Sequence, residues 1–72
     1  MANKIFVKCF TDNVIFSHTK DISVLIDRLT DDVNHFINWN NVIVISISTN
    51  NILIEDWFKY VITLVYSENN NE

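Results

Sequence analysis

The chain has 72 residues, with five Lys or Arg against nine Asp or Glu for a formal charge of −4, and 49% of it is hydrophobic. That length supports one small domain whose folding hides only about 60% of the unfolded chain's surface, so a disulfide, a metal or a partner subunit is a common supplement. The single cysteine, Cys9, excludes an internal disulfide, and the lack of any Gly or Pro excludes the P-loop and the G-x-G-x-x-G turn, whose close backbone approach needs a residue without a Cβ.

Five dispersed cations on an acidic chain offer little of the clustered charge that binding to a nucleic-acid backbone requires, so no duplex partner is expected. Residues 1–20 are interrupted by Lys8, Thr11, Asp12, Asn13 and His18 and do not read as a secretory signal. The apolar runs 42–47 and 60–66 fall short of the roughly 18 residues that span a bilayer. With a lone cysteine, the expectation is a cytoplasmic protein without a membrane partner.

In chain order, residues 4–10 alternate, Ile5, Val7 and Cys9 against Lys4, Phe6, Lys8 and Phe10, which predicts a strand. Thr11-Asp12-Asn13 predicts a turn, and Val14, Ile15 and Phe16 suit a short returning strand. From Ile22 the spacing changes to threes and fours through Leu25, Ile26, Leu29, Val33, Phe36 and Ile37, an amphipathic helix with Thr19 as its N-cap and Asp21 in its first turn. Residues 38–41 end that helix. Residues 42–49 predict a second strand, rich in β-branched side chains, which Asn50-Asn51 would break. Residues 52–56 fit either strand or loop, and residues 57–66 alternate again; a helix also fits there, but the β-branched and aromatic content favours a last strand. The expected architecture is α+β: a single domain over 1–66, with an open sheet of three to four strands in the order β-α-β-β, or β-β-α-β-β, and one helix on one face. Residues 67–72 are expected to form a disordered polar tail.

One helix covers only one face of a sheet. A right-handed β-α-β unit places the first two strands side by side, with the last strand antiparallel beside the second. Ile5, Val7, Cys9, Ile43, Ile45 and Ile47 are then expected to face the helix together with Phe58, Tyr60, Ile62 and Leu64. The opposite face would carry Phe6, Phe10, Val42, Val44, Trp57, Val61 and Val65, an apolar patch large enough to predict a second subunit over it, with Val42, Val44, Val61 and Val65 as interface residues.

Candidate chemistry is sparse. Asp31, Asp32 and His35 share a helical face but lack a fourth ligand, so a solvated surface is the expected reading and no metal or cofactor is predicted. His18 has no evident partner. Cys9 is expected in the core, where a free cysteine behaves as a small hydrophobe, and no serine sits in a nucleophile elbow. The chain is therefore expected not to be an enzyme. The constellation with most chemical content is Lys4, Lys8 and Lys59 interleaved with Phe6, Phe10 and Trp57 on the helix-free face. Cations for phosphate and flat rings for bases suit a small phosphorylated ligand such as a nucleotide signal. The same residues more simply describe a subunit interface with lysines guarding its edges.

The runs Lys4-Ile5-Phe6-Val7-Lys8, Leu29-Thr30-Asp31-Asp32-Val33-Asn34-His35-Phe36-Ile37, Val42-Ile43-Val44-Ile45-Ser46-Ile47-Ser48 and Tyr60-Val61-Ile62-Thr63-Leu64-Val65-Tyr66 resemble the small sporulation-type proteins of spore-forming bacteria and their phage-encoded relatives. The pattern departs from theirs in the longer segment before the helix and in lacking an acidic residue in the middle strand. The resemblance implies a strand, helix, strand, strand order and carries over no catalytic residue. Eleven Asn and eleven Ile are what a strongly A+T-rich coding sequence yields, and many phage genomes are of that kind. That composition suggests a phage-encoded protein countering a host defence, either by sequestering a nucleotide signal or, through the acidic residues Asp27, Asp31 and Asp32, by blocking a basic host protein.

Overall fold

The computed structural model describes residues 4–15 and 19–68, so Phe16 and His18 lie outside the described residues. Four elements follow one another: β1 (Ile5–Ile15), α1 (Thr19–Asn40), β2 (Val42–Ile54) and β3 (Trp57–Glu68). The order is β-α-β-β, as expected. The sheet is ordered β1-β3-β2 with both pairings antiparallel, so β1 and β2 run parallel to each other with β3 between them. This differs from the expected side-by-side placement of β1 and β2. The short link between β2 and β3 pairs them as a hairpin, and the other side of β3 is left for β1. Large apolar residues on both sides of β3, Tyr60 and Ile62 against Val61 and Val65, suit that central position.

The predicted helical stripe is the inner face of α1. Leu25, Leu29 and Val33 are buried against Ile62 of β3, with Phe10, Val14, Ile26, Ile37 and Tyr60 packed around them. Leu25 and Leu64 are fully enclosed. At the helix end, the Asn40 side-chain amide donates to the Phe36 carbonyl at 2.9 Å, and Asn41 takes the left-handed conformation with φ of 50°. Asn tolerates that region best among residues with a Cβ, and it ends the helix in a chain without glycine.

Two expected breaks are absent. β1 runs through Thr11-Asp12-Asn13, and β2 runs through Asn50-Asn51 to Ile54. Both are edge strands, and in each the side chain of one residue serves the next: Asp12 Oδ1 accepts from the Asn13 N–H at 2.8 Å, and Asn50 Oδ1 from the Asn51 N–H at 2.9 Å. Residues that favour turns are thus accommodated where an outer amide needs an acceptor. Asp12 also pairs with Arg28 of α1. The chain turns instead at Glu55-Asp56, where Glu55 has φ of 53°. The polar end begins later than expected, since Ser67 is buried in β3 and Glu68 ends the strand.

The faces of β1 are the reverse of those expected. Phe10 and Val14 pack under the helix, and alternation places Phe6, Lys8 and Asp12 on that side, while Ile5 and Val7 are exposed on the other. Cys9 is exposed as well, its sulfur 3.9 Å from Thr63 Oγ1, rather than in the core. In β2 the register with β3 shifts between Val44 and Ser46, leaving Ile45 as an extra residue. Before this bulge Val42 and Val44 lie on the helix side and Ile43 on the other. After it Ile47 returns to the helix side, as expected. Such an insertion reverses the facing of everything on one side of it.

The molecule is elongated, 49 × 19 × 12 Å, with a Cα radius of gyration of 14.6 Å against about 11 Å for a compact chain of this length. Its core is accordingly thin. Leu29→Ala should cost about 2 to 5 kcal/mol, enough to unfold much of the population in a urea titration followed by circular dichroism. Ile45→Ala, at an exposed bulge rather than in the core, should change stability by no more than about 0.5 kcal/mol. Glu55→Gly should raise the unfolding free energy by about 1 kcal/mol, and the urea midpoint with it, because glycine removes the Cβ clash of a positive φ. A lower midpoint would contradict strain at that turn.

Candidate functional site

The expected lysine–aromatic site is divided by the sheet. Phe6, Lys8 and Phe10 lie on the helix side, whereas Trp57 and Lys59 lie on the helix-free side, because β1 presents the opposite face from the one its alternation suggested. Lys4 precedes β1 and is exposed. The four expected interface valines divide likewise, Val61 and Val65 on the bare face and Val42 and Val44 on the helix side.

On the helix side, Phe6 stacks on Tyr66 with ring centroids 5.4 Å apart. Phe36 of α1 meets Tyr66 edge-on at 5.2 Å and Phe10 at 5.9 Å. The Lys8 ammonium lies 5.4 Å from the Phe10 centroid and 5.2 Å from that of Phe36, a cation–π arrangement worth about 0.5 to 1 kcal/mol at an exposed position. Beside this cluster is an open pocket of about 270 Å³ lined by Phe6, Phe36, Asn40, Val42, Tyr66 and Glu68. It sits at the C-terminal end of α1, the negative pole of the helix, and includes the Glu68 carboxylate. Both features oppose a phosphate group. Lys8 is already engaged with the rings, so the pocket has the flat surfaces of a base site without the charge for an anion.

The bare face is organised in three zones. At one end Ile5 and Ile43 flank Ser67, with Val7 beside Val65. At the hairpin end Ile15 and Ile54 flank Trp57. Between them lies a polar waist in which Cys9 and Ser48 flank Thr63, and Thr11 and Asn50 flank Val61. The continuous apolar patch expected from the sequence is therefore two patches, with Ile5 66%, Val7 64%, Ile54 60% and Trp57 48% exposed.

The outer face of α1 holds a feature that the sequence pattern did not single out. Trp39 is 83% exposed and meets His35 edge-on at 6.1 Å. Asp27, Asp31 and Asp32 are exposed on the helix as well, and Val24 is 64% exposed. Trp39 falls four residues after His35 and seven after Asp32, which places it on the outer face. Residues 38–41 are expected to end the helix, whereas α1 continues through Trp39 to Asn40. Among the described residues no three His, Cys, Asp or Glu side chains come together to hold a metal, and no helix is long and apolar enough to cross a membrane.

The chain matches no protein-family model, no curated protein and no solved structure. The surfaces themselves must carry the functional reading. Trp39→Ala should leave stability within about 0.5 kcal/mol of the parent, since it deletes a solvated side chain. Phe36→Ala, which removes the ring joining Phe10 to Tyr66, should cost about 3 kcal/mol. Urea titrations of the two variants compare them directly, and a large loss for Trp39→Ala would contradict its exposed placement.

Proposed function

We propose that the protein is a non-enzymatic, homo-oligomeric binding module that self-associates through the helix-free face of its sheet and meets a protein partner through the acidic outer face of α1. The observation that carries this reading is the exposure of Ile5, Val7, Ile54 and Trp57 on one side of the sheet. Paired about a twofold axis, the apolar ends of two such faces cover each other and their polar waists meet.

The outer helix face favours blocking a protein over sequestering a nucleotide. An exposed Trp is the kind of anchor that dominates interfaces, and the exposed carboxylates Asp27, Asp31 and Asp32 on the same helix select a basic partner. The abundance of Asn and Ile, which a strongly A+T-rich coding sequence yields, fits a phage-encoded protein acting in a host cytoplasm, where that partner would belong to a defence complex. A nucleotide signal is the weaker alternative, because the lysines and rings it required lie on two sides of the sheet. A structural role of the sporulation type would share the self-association and need no ligand.

Light scattering at micromolar concentration should give a mass above the 8.5 kDa of one chain. Val7→Asp should lower that mass with an unchanged circular dichroism spectrum, since Val7 is open to solvent within a single subunit. A wild-type monomer would sink the reading. Saturation with a nucleotide at about 100 times its dissociation constant would add roughly 2.7 kcal/mol of stability; a shift of that size would restore the ligand alternative.

A further inference from the structure

We propose that β2 is an assembly edge whose free side pairs antiparallel with β2 of a second copy, making one continuous six-stranded sheet. This deepens the homo-oligomer reading and rests on it. Eight of the 13 residues of β2 are Val, Ile or Leu, yet every residue except Val42 is exposed. The strand is open on three sides. Its bare face is uncovered, α1 lies mainly over β1 and leaves Ile47 and Leu53 exposed on the helix side, and among the described residues no strand lies beyond its outer edge.

The direction of that edge follows from one hydrogen bond. The Asn51 N–H is taken by Asn50 Oδ1 at 2.9 Å, so it is directed away from the β3 ladder, and strand alternation directs the N–H groups of Thr49 and Ile47 outward with it. A long, apolar edge with outward donors is a template for another strand unless something blunts it. The other edge, β1, is blunted by Lys8 and Asp12, whereas β2 contains no charged residue. The bulge at Ile45 confines regular pairing to the run from Ser46 onward.

A second copy is the occupant that this edge selects. Pairing about a twofold axis sets β2 against its own sequence, and in a chain of net charge −4 β2 is the one strand on which two copies meet with no charges opposed. The axis of an antiparallel strand pair is normal to the sheet, which puts both helices on one side. The partner's carbonyls then receive the outward N–H groups of Ile47 and Thr49, and Ile47 and Leu53 of both copies floor a trough between the helices.

The edge and the bare face are separate surfaces, so their failures can be told apart. Amide hydrogen exchange on the wild-type protein, read by NMR, should show Ile47 and Thr49 exchanging as slowly as the central amides of β3. Thr49→Pro deletes an outward N–H that β3 does not use, and should reduce the assembly mass while retaining the fold by circular dichroism. The Val7→Asp variant should remain an edge-paired dimer. An oligomer whose Ile47 and Thr49 amides exchange as fast as those of a free edge would overturn the edge proposal and leave face association standing. A wild-type monomer would overturn both. Should Thr49→Pro unfold, the exchange rates of the wild-type chain still decide.

Discussion

A single helix can shield one side of a three-stranded sheet and no more, and nearly every other property of this protein follows from that limit. The stripe running from Leu25 through Leu29 to Val33 meets Ile62 and the residues around it, and this contact is the core. Because α1 is directed over β1 and the central strand, the hydrophobic effect is spent on half of the available apolar surface. What remains is uncovered: the bare face, and β2 almost in its entirety. Among the described residues no second layer closes them.

The arrangement also explains where polar residues settle. Asp12 and Asn50 occupy edge strands, where their side chains take up the N–H of the following residue and where a turn-forming residue does least harm to the ladder. The central strand carries rings and aliphatic residues instead. Without glycine, both sharp changes of direction in the described chain use residues with a Cβ at positive φ, Asn41 after the helix and Glu55 in the hairpin. The first choice is the better tolerated, since Asn visits that region more readily than Glu.

The two sides of the molecule have different chemistry. The helix side has its aromatic cluster closed over by Phe36, with Lys8 held on the rings and a carboxylate and a helix C-terminus at the adjoining pocket. Its outer surface is acidic and crowned by Trp39. Among the described residues the bare side carries Lys59 as its charge and is apolar at both ends. Surfaces of the first kind select partners by charge, and surfaces of the second kind associate by exclusion of water.

The sequence by itself determined the elements. The spacing from Ile22 to Ile37 specified the helix and its buried stripe, since a 3.6-residue period leaves one face apolar whatever lies opposite. The alternation and β-branched content of the strands specified their order along the chain, and Phe58, Tyr60, Ile62 and Leu64 lie on the helix side as their alternation predicts. The faces of β1 were not legible: Ile5, Val7 and Cys9 are as apolar as Phe6, Phe10 and Val14, and two equally apolar sides give periodicity without direction. Only tertiary packing decided between them, by placing Phe10 and Val14 beneath the helix and Asp12 within reach of Arg28. The bulge at Ile45 and the insertion of β3 between β1 and β2 were likewise settled by pairing between distant segments, which no local pattern encodes. The face taken by β1 is why Phe6, Lys8 and Phe10, adjacent by pattern to Trp57 and Lys59, lie on the other side of the folded sheet.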